Sequence, residues 1–174
     1  MGGAKATRLL RGRPLVDYPA QALAAVCDRV VLVCKPGTAL PAGGAWELWD
    51  DEPADPRHPA VGIAHAVERA HAPVLVCAVD MPFVTAAECA MLIDAAARWP
   101  DSAAVVAVDP GGLQPLLGVY GPPAAAFLRA AAARGEPLRR AVDALEPVRV
   151  ELSAAALRSL DTPEALAAAE LELG

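Results

Sequence analysis

The chain has 174 residues, 55% of them hydrophobic, with a formal net charge of −6 and a mean hydropathy of +0.35. That length and composition provide one domain with a real core and exclude a disordered chain. No apolar run approaches a bilayer span, no charged-then-apolar leader opens the chain, and the acidic balance gives no general attraction to nucleic acid or acidic membranes, so a soluble cytoplasmic protein is expected.

The chain opens on Met1-Gly2-Gly3-Ala4-Lys5, a loop-like segment with no strand ahead of it. A helix is predicted over Tyr18–Val26, with Asp17 as cap and Pro19 tolerated in the first turn. Arg29–Cys34 is a β-branched run closed by the turn signal Lys35-Pro36-Gly37. Trp46–Trp49 is a short strand running into Asp50-Asp51. A helix over Ala60–Ala70 follows a proline-rich loop. Val74–Val79 is a continuous apolar run, read as a central strand buried on both faces. It ends at Asp80-Met81-Pro82, where proline stops regular pairing. Thr85 and Glu88 form a capping box opening a helix over Thr85–Arg98. Strands over Ala103–Val108, Leu116–Tyr120 and Val148–Leu152 alternate with helices over Pro122–Arg134 and Leu138–Leu145. The last helix opens at Asp161, with Pro163 in its first turn and Asp161-x-x-Glu164 as its capping pattern. This alternation predicts one α/β domain over residues 1–174, with a mostly parallel sheet and helices on both faces.

The chemistry-bearing residues are few. Cys27, Cys34, Cys77 and Cys89 show no C-x-x-C pairing and read as buried reduced thiols. His58, His65 and His71 make no metal-ligand pattern; His58 and His65, seven apart, would share a helix face as surface residues. The only lysines are Lys5 and Lys35 among many arginines. Lysine is the compact point charge used against phosphates, although Lys35 sits in a turn that explains it by chance. Asp80 lies where ligands bind in open α/β sheets, just beyond the carboxyl end of a strand. On those residues alone it is either a ligand for a metal-bound phosphate or the cap of a turn.

Placed in order, these pieces resemble the molybdenum cofactor guanylyltransferase family of nucleotidyltransferases. That family opens with a strand ending in Leu-Ala-Gly-Gly-x-Ser-x-Arg-Met-Gly-x-x-Lys, then Gly-x-Pro-Leu. The chain has Met1-Gly2-Gly3-Ala4-Lys5, then Gly12-Arg13-Pro14-Leu15. An Asp before a Gly-Pro-Leu-x-Gly loop is matched by Asp50-Asp51 and His58-Pro59-Ala60-Val61-Gly62. The metal strand's Asp-x-Pro is matched by Asp80-Met81-Pro82, and a Gln-Pro-Leu strand by Gln114-Pro115-Leu116. The closing Asn-x-Asn-Thr-Pro-Glu is matched by Ser159-Leu160-Asp161-Thr162-Pro163-Glu164. The ordered resemblance spans nearly the whole chain and implies a Rossmann-like nucleotidyltransferase fold.

The resemblance implies that Lys5 contacts nucleotide phosphates and that Asp80 is the magnesium ligand, the two catalytic residues. It implies nucleotide contacts from Gly2, Gly3, Lys5, Asp51 and Asp80. Its cofactor would be Mg²⁺, its substrates GTP (or CTP) and molybdopterin, and its further partners molybdoenzyme maturation proteins met transiently. The reaction would be transfer of GMP from GTP to the phosphate of molybdopterin, with release of pyrophosphate. The chain departs from the pattern at His58, which replaces a loop glycine, and at Ser159 and Asp161, which replace two asparagines. It also lacks the Leu-Ala-Gly-Gly half of the loop and the strand before it, so a longer natural N-terminus is expected. Without that strand, little activity and weak nucleotide binding, with poor discrimination between GTP and CTP, are expected of the chain as it stands.

Bland readings stand beside these. Lys5 could be an unengaged terminal charge, Asp51 a solvated member of the acidic run Asp50, Asp51, Glu52 and Asp55, and Gln114 an exposed strand residue. Asp161 is explained by its capping pattern and is left out of the site. Two other functions compete: transfer of CMP or another nucleotide to molybdopterin or another phosphorylated small molecule, and a non-catalytic nucleotide-binding protein.

Overall fold

The computed structural model describes residues 5–172; Gly2 and Gly3 therefore lie outside the described residues. The elements follow as β1 (Leu9–Leu10), β2 (Arg13–Pro14), α1 (Asp17–Ala24), β3 (Val31–Val33), β4 (Glu47–Trp49), α2 (Pro59–Ala70) and β5 (Val74–Cys77). The second half is α3 (Ala86–Arg98), β6 (Ala104–Asp109), β7 (Gly112–Tyr120), α4 (Pro122–Ala133), α5 (Leu138–Asp143), β8 (Val148–Glu151) and α6 (Pro163–Glu172).

The α/β fold class expected from strand–helix alternation is what the structure shows, with a mixed sheet. The main sheet has the order β5-β7-β6-β8, and β3 pairs with β4 in a separate parallel pair. Strand β7 is antiparallel to both β5 and β6, while β8 is parallel to β6. Three of the four strands thus point the same way and β7 alone is reversed. The reason is local: Pro110-Gly111 joins β6 to β7 as a two-residue hairpin loop, Asp109 pairing with Gly112, whereas a parallel crossover needs a dozen or more residues.

Alternate side chains of the sheet feed two cores. Ala104, Val106 and Tyr120 pack with Ala60, Val61 and Val67 of α2 and with Leu128 of α4. Val105, Ala107, Leu117 and Val119 pack on the opposite face with Cys89 and Leu92 of α3 and Ala22 of α1. Helices therefore cover both faces. Tyr120, fully buried, hands its hydroxyl to the Pro115 carbonyl at 2.6 Å, so this buried donor is not left unpaired.

Strand β5 departs from expectation. Val74 and Val76 join one core and Leu75 and Cys77 the other, yet all four residues are only half-buried. Among the described residues β5 is hydrogen-bonded on one edge alone, to β7. A cavity of about 460 Å³, lined by Cys27, Leu75, Ala96, Trp99, Val105 and Val119 among others, opens beside it. Smaller differences follow from capping. Helix α1 is preceded by Val16, which makes no side-chain cap, and Asp17 lies inside the first turn. The capping box of Thr85 and Glu88 forms as expected. The β1–β2 hairpin was not expected, because two-residue strands carry too little alternation to be read.

Candidate active site

Three chain segments meet beyond the carboxyl end of β5. The first is fixed by Ala6, which is buried with Val16 and Leu32 and packed against Val79; this sets Lys5 beside Asp80. The second is the turn after β5, in which the Met81 N–H donates to the Ala78 carbonyl at 3.3 Å. The third is the run before α6. Leu160 is fully buried with Leu10, Leu15 and Ala169, and Phe83 packs on the same cluster. Its N–H donates to the Asp80 carbonyl at 2.8 Å, which delivers the next residue, Asp161, to the same place.

The Lys5 ammonium sits between two carboxylates, 2.5 Å from Asp80 Oδ2 and 2.5 Å from Asp161 Oδ1. Asp80 is the one charged residue that is buried among the described residues; its side chain is 10% exposed, whereas the Asp161 side chain is 61% exposed. A buried carboxylate with little water to satisfy it depends most on a cationic partner. Burial draws the Lys5 pKa down, but hydrogen bonds to Asp161 and Asp80 and the charges behind them hold it above its ordinary 10.5. The hydrogen bond from Lys5 in turn holds Asp161 below its ordinary 3.8, with Ser159 helping and burial opposing.

Asp161 corrects the sequence reading. The Thr162 hydroxyl, not Asp161, accepts from the Ala165 N–H at 3.1 Å and caps α6. With a threonine next to the helix already serving as cap, Asp161 is left for the Lys5 contact. That surplus of two capping residues in a row was the signal available in the sequence.

The sign of the pH dependence follows. A carboxyl whose folded pKa lies below its unfolded value contributes stability that is present above 3.8 and lost as pH falls through the lower folded value. The contribution is small because the group is mostly exposed. Asp161→Asn is expected to flatten the acid side of the curve of thermal midpoint against pH by slightly lowering its neutral plateau, with parent and variant converging once the carboxyl is protonated, as measured by circular dichroism melts.

The structure brings together Lys5 and Asp80 of the expected set, and adds Asp161. Asp51 has partners of its own: beyond the end of β4 it accepts from His65 at 3.1 Å and pairs with Arg69, whose guanidinium covers the Trp49 ring at 4.5 Å. The hydrogen bond with His65 leads in lowering its pKa. Lys35 is no idle turn charge, since it pairs with Glu52 at 2.9 Å and donates to the Pro53 carbonyl. His58 is not on the helix face but before it, where its Nδ1 accepts from the Ala60 N–H and caps α2. The cysteines are free thiols; Cys34 and Cys89 are buried, Cys27 and Cys77 half-buried, and burial pushes Cys89 up to about 11. No set of three or more His, Cys, Asp and Glu side chains that could hold a metal occurs among the described residues, and no described helix is long and apolar enough to cross a membrane.

A lysine and a buried carboxylate beyond a strand end, in this order of elements, agree with a match of residues 1–158 to the MobA-like NTP transferase domain. The chain belongs to that family. A curated relative from Deinococcus radiodurans, named a probable molybdenum cofactor guanylyltransferase, is 40% identical over 124 residues, covering 68% of this chain and 60% of the relative. The match thus spans less than two thirds of that relative's length. Among solved structures, molybdopterin-guanine dinucleotide biosynthesis protein A from Archaeoglobus fulgidus superposes with a TM-score of 0.76 at 22% identity, over 97% of this chain and 90% of that one. The 2-C-methyl-D-erythritol 4-phosphate cytidylyltransferase from Thermus thermophilus gives 0.74 at 24% identity, over 98% and 94%. At those identities the two structures establish the nucleotidyltransferase fold. The family resemblance read from the motifs and the family found are in agreement.

Proposed function

We propose that this member of the MobA-like family transfers GMP from GTP to the terminal phosphate of molybdopterin and releases pyrophosphate. The observation that carries the reading is the cluster of Lys5, Asp80 and Asp161 beyond β5, supported by the name of the Deinococcus radiodurans relative.

The site fits Mg²⁺ by the chemistry of its donors. Asp80 and Asp161 offer hard oxygen ligands, and a cation, the Lys5 ammonium, already lies between them. Mg²⁺ is commonly held by one or two carboxylates with substrate phosphates filling other positions, so a full protein cage is not needed. When bound, Mg²⁺ would neutralise charge on the phosphate oxygens.

The chain's own residues do the remaining work. Asp80 and Asp161 fix the cation position, and Lys5 supplies a point charge for the phosphates. Gly2 and Gly3, small residues beside Lys5 in sequence, would let the backbone approach the phosphates. Asp51 enters this reading as a nucleotide contact from the β4 side. The acceptor phosphate oxygen attacks the α-phosphorus, the bond to the bridging oxygen breaks, and pyrophosphate departs with that electron pair. The attacking phosphate is already anionic, so no protein base is required. His58 and His65 have other partners, as α2 cap and on Asp51. Alignment and charge neutralisation are the protein's main contributions.

The test is incubation with α-labelled GTP or CTP, Mg²⁺ and molybdopterin, followed by separation of the labelled dinucleotide. Guanine-labelled product with release of pyrophosphate is expected. Preferential labelling from CTP would move the assignment to cytidylyl transfer, and no labelling from either nucleotide would overturn the reading.

A further inference from the structure

We propose that Lys5 is a resident counter-ion that holds the cation position between Asp80 and Asp161, and that divalent metal enters only by displacing it. The inference rests on the reading that these carboxylates bind Mg²⁺, and adds an order of events and a second role for the lysine.

The geometry demands a choice between the two cations. Mg²⁺ takes carboxylate oxygens at about 2.0–2.1 Å. The Lys5 nitrogen lies 2.5 Å from one oxygen of each carboxylate, so it occupies almost the space that an ion bridging those oxygens would fill. Two cations cannot share it, since like charges a few ångströms apart repel strongly where water is scarce. The lysine is built to leave. Its backbone is held by buried Ala6 and by the turn in which the Arg8 N–H donates to the Lys5 carbonyl at 3.2 Å. Its side chain is 30% exposed, so the flexible stem has a path to solvent while the main chain stays in place.

Charge balance then assigns an order. Asp80, Asp161 and Lys5 together carry a net negative charge, which opposes an approaching phosphate. With a divalent ion between the carboxylates that charge is cancelled, and the displaced ammonium is the one left without a partner. A phosphate arriving at that moment meets a free lysine. Metal loading thus creates the phosphate contact, and the lysine that blocks the site in the metal-free protein is the one that completes it.

Mn²⁺ alone, titrated without nucleotide and followed by the loss of its free paramagnetic signal, serves as the probe. Lys5→Met is expected to bind Mn²⁺ at least about tenfold more tightly than the parent, because the competing cation is gone. Asp80→Asn is expected to lose that binding. If Asp80→Asn binds Mn²⁺ as the parent does, the metal reading falls and the exchange falls with it. If Asp80→Asn loses binding while Lys5→Met matches the parent, the metal reading stands and the counter-ion role is overturned. The unmutated chain provides a second readout, because it contains only two lysines. In protein labelled with ¹⁵N-lysine, the Lys5 ammonium resonance should shift as diamagnetic Mg²⁺ saturates the site. That of Lys35, paired with Glu52, should stay. A Lys5 resonance unmoved at saturating Mg²⁺ would show that the lysine is a fixed structural clamp and overturn the proposal, whether or not Lys5→Met folds.

Discussion

Asp80→Asn is expected to abolish Mg²⁺-dependent nucleotidyl transfer while leaving the fold intact. The substitution is nearly isosteric and leaves the main chain unchanged, so the 2.8 Å hydrogen bond from the Leu160 N–H to the residue 80 carbonyl survives. Lys5 keeps Asp161 as a partner. What disappears is the buried negative charge that would hold a metal ion against the phosphates. Lewis-acid stabilisation of transferring phosphates is worth several kcal/mol, so a loss of roughly a thousandfold or more in turnover is the expected scale. Asp161→Asn should cost much less. Its side chain is 61% exposed where that of Asp80 is 10%, and an interaction shared with water is the weaker one. Pyrophosphate release measured against Mg²⁺ concentration, with circular dichroism melts of the same preparations, separates chemistry from folding. Unchanged turnover in Asp80→Asn would rule out the metal role.

How much of this was legible in the sequence depends on the range of the forces involved. Asp80 was legible because a long apolar run, a proline and a lone carboxylate are all local, and the strand-end rule converts them into a position. The residues Pro110, Gly111 and Gly112 are turn formers directly after a predicted strand, and a tight turn between two strands makes them antiparallel neighbours; β7 is reversed for that reason alone where a mostly parallel sheet was expected. Asp161 was misread because capping is a short-range pattern satisfied equally well on paper by either of two adjacent residues. The choice was made by packing against the opposite end of the chain, through Leu160 against Leu10 and Leu15. Asp51 shows the opposite case. The family resemblance offers it as a nucleotide contact, and its partners within the chain, His65 and Arg69, lie on a helix face whose orientation no local pattern reveals. Lys5 itself carried its rarity and its place in the family motif as clues, and its position is secured by its neighbour Ala6, a residue with no chemistry at all.

Lys5→Ala is the second change with a large expected effect, and the split between kinetic constants tells what the lysine does. A point charge that meets the phosphates as pyrophosphate begins to leave stabilises the transition state more than the bound ground state. Loss of one such group elsewhere costs on the order of 10²–10³ in turnover. A fall of that size in kcat, with a smaller change in KM for the nucleotide, is therefore expected. Lys5→Arg should not restore it. The planar guanidinium is broader than an ammonium and prefers one carboxylate face-on, whereas the Lys5 nitrogen is shared by Asp80 and Asp161 at equal distances of 2.5 Å. An arginine would have to abandon one of them or displace the Asp161 segment, and would leave the pair less readily when metal enters. Steady-state kinetics of the parent, Lys5→Ala and Lys5→Arg decide the point. A KM effect alone, with kcat preserved in Lys5→Ala, would reduce the lysine to a ground-state anchor. Full rescue by arginine would show that any positive charge beside Asp80 suffices and that the compact geometry of the cluster has no part in the chemistry.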